Sequence, residues 1–202
     1  MTNMTNTKKN TIDTNEKKTC FYYDGKFFHD LLIDTCALMH WNFESAVKSI
    51  IPALQMGSVK ILVLWSVKHE LERFANANEN SDRKKRAQRA LQNLNALYSA
   101  GMVRYVGDPN GKVGDKGILE YVFKSRARNE KLLLITQDHI LAQDIIQINK
   151  LGSAAAPWAN VLRIDSKESA LVKFDFSASK VPAKAQEKND LQLKAVLARF
   201  GL

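Results

Sequence analysis

Leu31-Leu32-Ile33 runs straight into Asp34-Thr35, and this apolar run ending in a carboxylate constrains the chain more than any other stretch. A short apolar run bounded by polar residues fits a buried strand. In an open α/β sheet, sites are built at the carboxyl ends of strands, so Asp34 stands where a site would be. The pattern returns at Leu132-Leu133-Leu134-Ile135, which leads into Thr136-Gln137-Asp138. If both runs are parallel strands of one sheet, Asp34 and Asp138 lie at the same end, an arrangement suited to a divalent cation.

The remaining elements are read around these two strands. Phe21 to Phe28 is a hairpin or an edge segment with a turn at Asp24-Gly25, placed to cover a sheet edge, with base stacking as a second use of its aromatic surface. Ala37 to about Gly57 is helical, with Ala46, Val47, Ile50, Ile51 and Leu54 at helical spacing and Pro52 marking a kink or break. Lys60 to Trp65 is the next strand. Ser66 is then the expected N-cap of a helix reaching about Asn78, with Val67, Leu71, Phe74 and Ala75 inward. Glu70 falls on or beside that face, whereas Glu72 points outward and pairs with Lys68.

Ser81 to Gly101 forms a further helix, capped by Ser81 or Asp82, with Ala87, Leu91, Leu94 and Tyr98 as its apolar stripe. Met102 to Val106 is a short strand, followed by a turn-rich loop from Gly107 to Gly111. Asp115 opens a helix that buries Ile118, Leu119, Val122 and Phe123; at that position it serves as a cap or as a metal-site acid. After Asp138, a helix from about His139 to Lys150 buries Leu141, Ile145 and Ile148, with Asp144 beside the stripe. Val161 to Ile164 supplies a last strand. Strands alternating with helices in this way predict an α/β fold of three layers, α/β/α, around a mostly parallel sheet.

By composition the chain divides into a polar, disordered tail over residues 1–19, a domain over 20–165 and an extension over 166–202. In the extension, Leu171 to Phe176 is an edge strand and Val181 to Lys188 a charged linker. Leu191, Leu193, Val196, Leu197 and Phe200 mark a final amphipathic helix. That helix docks on its own domain, or is held by a partner protein or a second copy of the chain.

A formal charge of +9 in 202 residues points to a polyanionic partner, because Lys and Arg gain affinity for phosphate backbones through counterion release. The densest cations, Arg83, Lys84, Lys85, Arg86 and Arg89, open the long helix; they form a solvated face or clamp a nucleic-acid backbone. Cys20 and Cys36 make neither a metal spacing nor a disulfide framework, and Cys36 reads as a small buried hydrophobe. His29, His40, His69 and His139 are scattered without zinc-type spacing. No apolar run approaches the roughly 20 residues of a membrane span, and residues 1–19 lack the apolar stretch of a secretory signal. The expectation is a soluble, cytoplasmic protein.

Leu31 to Leu38, Lys68-His69-Glu70-Leu71, Gly114 to Leu119, and Leu134 to Ala142 together resemble the PIN-domain family of nucleases in their order and spacing. The resemblance spans about residues 30–165. It implies a PIN-like α/β/α fold and a metal-dependent RNA-cleaving site. By position Asp34, Glu70, Asp115 and Asp138 match the family's acids, with Thr136 as the small hydroxyl residue before the last. Asp144 is a possible fifth. The implied cofactor is Mg²⁺ or Mn²⁺, held by carboxylate oxygens, and the implied substrate is RNA, single-stranded or structured. Many small members are toxins paired with an antitoxin, so a protein partner is a further implication.

Two other readings stand beside this one. A non-catalytic nucleic-acid-binding or protein-binding module would keep the fold and lose acids, whereas here all four are present. A phosphatase using Asp34 as nucleophile commonly wants a second acid close behind, and Thr35-Cys36-Ala37-Leu38 supplies none.

Overall fold

The computed structural model describes residues 19–78, 81–110, 116–150, 158–174, 193–195 and 197–198. The N-terminal tail up to residue 18, Asp115 and the charged linker lie outside them. Two strands, β1 (Phe21–Tyr23) and β2 (Lys26–Phe28), form the hairpin. Asp24 and Gly25 both take positive φ, 45° and 76°, as a two-residue turn matched to strand twist requires. Phe21 and Phe28 bury their rings against each other, while Tyr22 and Phe27 pair on the exposed side.

A six-stranded sheet holds the rest: β3 (Asp30–Ile33), β4 (Ile61–Leu64), β5 (Val103–Val106), β6 (Leu132–Ile135), β7 (Ala159–Ile164) and β8 (Leu171–Lys173). Their spatial order is β5-β4-β3-β6-β7-β8, parallel throughout except for β8, which runs antiparallel to β7 at the edge. Every residue of β4 and β6 is buried. That is why these strands read as unbroken apolar runs: in a sheet covered on both faces neither side of a strand meets water.

From β3 the chain steps one way to β4 and β5, then crosses back to β6 and steps the other way to β7. With right-handed crossovers, this reversal sends the connecting helices to opposite faces. On one side lie α1 (Thr35–Leu38), α2 (Phe43–Lys48), α3 (Ile51–Met56), α4 (Trp65–Ala75) and α5 (Asp82–Ser99); on the other lie α6 (Lys116–Ala127) and α7 (His139–Lys150). Contacts of α4 with α5, of α1 with both, and of α6 with α7 follow this division. The arrangement is the expected three-layer α/β/α.

Three local expectations are corrected. The stretch from Ala37 to Gly57 holds three short helices rather than one or two; of the kink or break expected at Pro52 the break is found, with Pro52 in the first turn of α3, where its missing N–H costs nothing. Helix α4 begins at Trp65 with Leu64 at its N-cap, because the strand runs directly into the helix. Ser66 is therefore inside the first turn, buried, and its hydroxyl has no hydrogen-bond partner among the described residues. In α5 the cap is Ser81, which accepts from the Lys84 amide, but the buried face is Ala87, Ala90 and Leu94. Tyr98 is exposed and packs beside Tyr105.

Beyond residue 165, β8 extends the sheet and Leu193 is buried in the same core, with Leu197 packed against it. Among the described residues no helix is long and apolar enough to cross a membrane.

Candidate functional site

Register places the site. Ile33 of β3 pairs with Ile135 of β6, so the next residues, Asp34 and Thr136, emerge side by side at the carboxyl end of the sheet. The Asp34 amide still bonds to the Ile135 carbonyl and the Thr136 amide to that of Leu162, which carries the ladder one residue past the strands. Between β3 and β6 the winding direction reverses, and at such a switch point an open α/β sheet leaves a crevice for ligands.

Asp34 caps α1, its Oδ1 accepting from the Thr35 amide at 2.6 Å. Its Oδ2 accepts from the Cys36 thiol at 2.6 Å and from the Thr136 hydroxyl at 2.9 Å. Thr136 Oγ1 in turn accepts from the Asp138 amide at 3.0 Å, and Asp138 Oδ1 caps α7 through the amides of Ile140 and Leu141. Gln137 donates its amide to Cys36 Sγ and its side chain to the Ile164 carbonyl. Glu70 is reached through α1: the Thr35 hydroxyl donates to its Oε2 at 2.7 Å, while Arg73 lies 3.5 Å from Oε1. Asp34, Thr136, Asp138 and, through Thr35, Glu70 thus form one connected group.

Burial, above all, raises the Asp34 carboxyl pKa; its hydrogen bonds oppose the shift and the nearby Asp138 charge adds to it. The Cys36 thiol is also raised, first by burial and then by Asp34, so it stays a protonated donor rather than a nucleophile. The donor set for a cation is all carboxylate and hydroxyl oxygen, the chemistry of Mg²⁺ or Mn²⁺. A positive charge there would offset the burial and repulsion that disfavour the Asp34 carboxylate. Among the described residues no three His, Cys, Asp or Glu side chains are clustered to hold one ion, and Asp115 lies outside them. Asp144 is buried on the inner side of α7, six residues past Asp138, and is not without a partner there.

The cations of α5 divide. Arg89 donates to the carbonyls of both His40 and Trp41 at 2.9 Å, Lys84 donates to the Ala77 carbonyl, and Arg83 lies over the Phe74 ring. Arg86 and Arg89 both lie against the indole of Trp41, and Lys85 points to solvent. Lys68 and Glu72 form the expected pair on the outer side of α4.

Two participants escape the sequence reading. Cys36 is half-buried and bonded to Asp34 rather than a plain hydrophobe; its place two residues after the acid was the available signal. Trp41, exposed in the loop after α1, has no periodicity to mark it. That loop is tied to the carboxyl end of β7, where His40 Nε2 meets Ser166 Oγ at 3.1 Å and Asn42 donates to the Ser166 carbonyl.

No model of a known protein family matches the chain, and no curated protein matches it. Among solved structures the chain is similar to a domain of a functionally unknown protein from Methanocaldococcus jannaschii DSM 2661, at 20% identity and a TM-score of 0.41, over 72% of this chain and 99% of that one. A likeness at that level assigns neither a fold family nor an activity.

Proposed function

We propose that this protein is a metal-dependent endoribonuclease of PIN-like fold, cleaving phosphodiester bonds of RNA. The observation that supports the reading most is the pairing of Asp34 with Thr136 and Asp138 across the switch point, with Glu70 joined through Thr35. Such a group does more than its two helix caps need, and it places a carboxyl group, that of Asp34, in a buried position that a core would avoid.

In this reading Asp34 and Asp138 are the direct ligands of Mg²⁺ or Mn²⁺, and Glu70 and Asp115 complete the set directly or through water. When bound, the metal supplies an activated water for in-line attack and offsets charge on the leaving oxygen. Thr136 positions the Asp34 carboxylate, and the Cys36 thiol and Thr35 amide hold it in one orientation. The short helix α1 fixes Thr35, and so fixes Glu70, relative to Asp34. Pairing with an antitoxin and a cytoplasmic location belong to the same proposal, by family resemblance alone.

The test is incubation of the protein with mixed single-stranded RNA and Mn²⁺ or Mg²⁺, beside EDTA and an Asp34→Asn variant. Metal-dependent cleavage lost in both controls is the expected result. Binding without cleavage, unchanged in the variant, would overturn the catalytic reading in favour of a non-catalytic nucleic-acid-binding module.

A further inference from the structure

Trp41 keeps 59% of its surface exposed, whereas Trp side chains are highly buried on average. Its main chain is not loose: the guanidinium of Arg89 grips its carbonyl and that of His40, and the residues on either side of it bond to Ser166. Arg89 and Arg86 lie 4.6 and 5.2 Å from the centre of the indole. Three residues apart on α5, they approach from one side of that helix, and more than half of the residue stays open to water.

An exposed indole on an anchored main chain, with cations beside it, suits binding of an unpaired nucleobase. Every base has a π-face that stacks on an aromatic ring whatever its identity, and the neighbouring guanidiniums meet the phosphates. The position suits a strand that also enters the acid crevice. Helix α1 is one turn, roughly 6 Å of rise from Asp34 towards this loop, and Ser166 ties the loop to the carboxyl end of the sheet, where Asp34 and Asp138 lie.

We infer that Trp41, with Arg86 and Arg89, is a stacking platform for an unpaired base of single-stranded RNA beside the acid crevice. The inference rests on reading that crevice as an RNA-cleaving site, and it names the substrate as a single strand rather than a duplex. In a duplex the bases stack on one another and offer no free face to the indole.

The test is fluorescence anisotropy of the full chain with a short labelled single-stranded oligoribonucleotide, in EDTA so that no cleavage intervenes, beside an RNA duplex of equal length. Trp41→Ala should weaken single-strand binding roughly 5- to 150-fold, the span of one lost base stack. Trp41→Phe should keep most of the affinity, and duplex binding should not change. Because the side chain is mostly exposed and the bonds of Arg89 to the His40 and Trp41 carbonyls do not involve it, both variants should fold and melt close to the wild type, Trp41→Ala losing only the contacts of the ring with Arg86 and Arg89. Equal single-strand affinity in Trp41→Ala would overturn the platform. So would equal losses in the Phe and Ala variants, or a matching loss on duplex. The nuclease reading fails separately: wild-type protein that binds through Trp41 yet leaves RNA intact in Mn²⁺ loses the activity and keeps the platform.

Discussion

The Thr136 hydroxyl donates to Asp34 Oδ2 at 2.9 Å while accepting from the Asp138 amide at 3.0 Å, so a single oxygen joins the two acids that end β3 and follow β6. Thr136 is fully buried, and Asp34 nearly so. Thr136→Val keeps the shape and removes both bonds. It should cost about 1–3 kcal/mol, the penalty for leaving buried polar groups unpaired. Thr136→Ser should recover most of it. Urea unfolding of the three proteins checks this, and cleavage should fall in the Val variant and return in the Ser variant.

Asp34 carries a sign that can be tested without substrate. Its pKa is raised in the folded protein, so folding favours the protonated carboxyl. The metal-free protein therefore loses stability as the pH rises from the ordinary value of 3.8 through the raised one. In EDTA at neutral pH, Asp34→Asn should melt above the wild type, with the gap closing as the pH approaches 3.8. Adding Mn²⁺ should reverse the order. A ligand at 100 times its Kd stabilises by about 2.7 kcal/mol, and the variant should gain little. Calorimetry with and without the metal decides both halves.

His40 has the opposite sign. Burial chiefly, then Arg86 and Arg89, push its pKa below the ordinary 6.5, against a weaker pull from Asp165. Its Nδ1 accepts from the Asn42 amide, a bond that protonation removes. The contribution of neutral His40 is complete above about pH 6.5 and is lost as the pH falls through the lowered value. His40→Gln should therefore flatten the fall in melting temperature between neutral and mildly acid pH. A fall as steep as that of the wild type would show that His40 does not set it.

Gly57 is required by space. A Cβ there would lie 2.2 Å from the Cys20 carbonyl oxygen and 2.9 Å from Phe21 Cβ, where the end of α3 meets the hairpin strand. The obstacle is backbone, which cannot swing aside. Gly57→Ala should destabilise by about 1–3 kcal/mol or more, as overpacking does. The check is a lowered urea midpoint with an unchanged slope.

The strands were legible because burial on both faces leaves an unbroken apolar run, and β3 and β6 delivered their acids where such runs end. Helix α7 was equally plain, since Leu141, Ile145 and Ile148 keep strict spacing up to its end at Lys150. Ser66 misled because a cap residue and a first-turn residue look alike when a strand passes into a helix with no intervening loop. Tyr98 misled because a large residue was favoured over Ala90, yet close packing of α5 on α4 needs a small side chain. Trp41 was invisible for a related reason. Only the fold brings Arg86 and Arg89 from α5 to a loop more than forty residues earlier in the chain.

The place of β3 between two parallel neighbours has a consequence for hydrogen exchange. Its residues are bonded on both sides, and the Asp34 amide is itself tied to the Ile135 carbonyl. Amides so held open only when the whole domain unfolds, whereas loop amides open by local fluctuation. The floor of the crevice therefore exchanges most slowly of all, and the loop holding His40 and Trp41 exchanges faster. Any fitting of the protein to its ligand falls to that loop, while the carboxylates meet the ligand already in place.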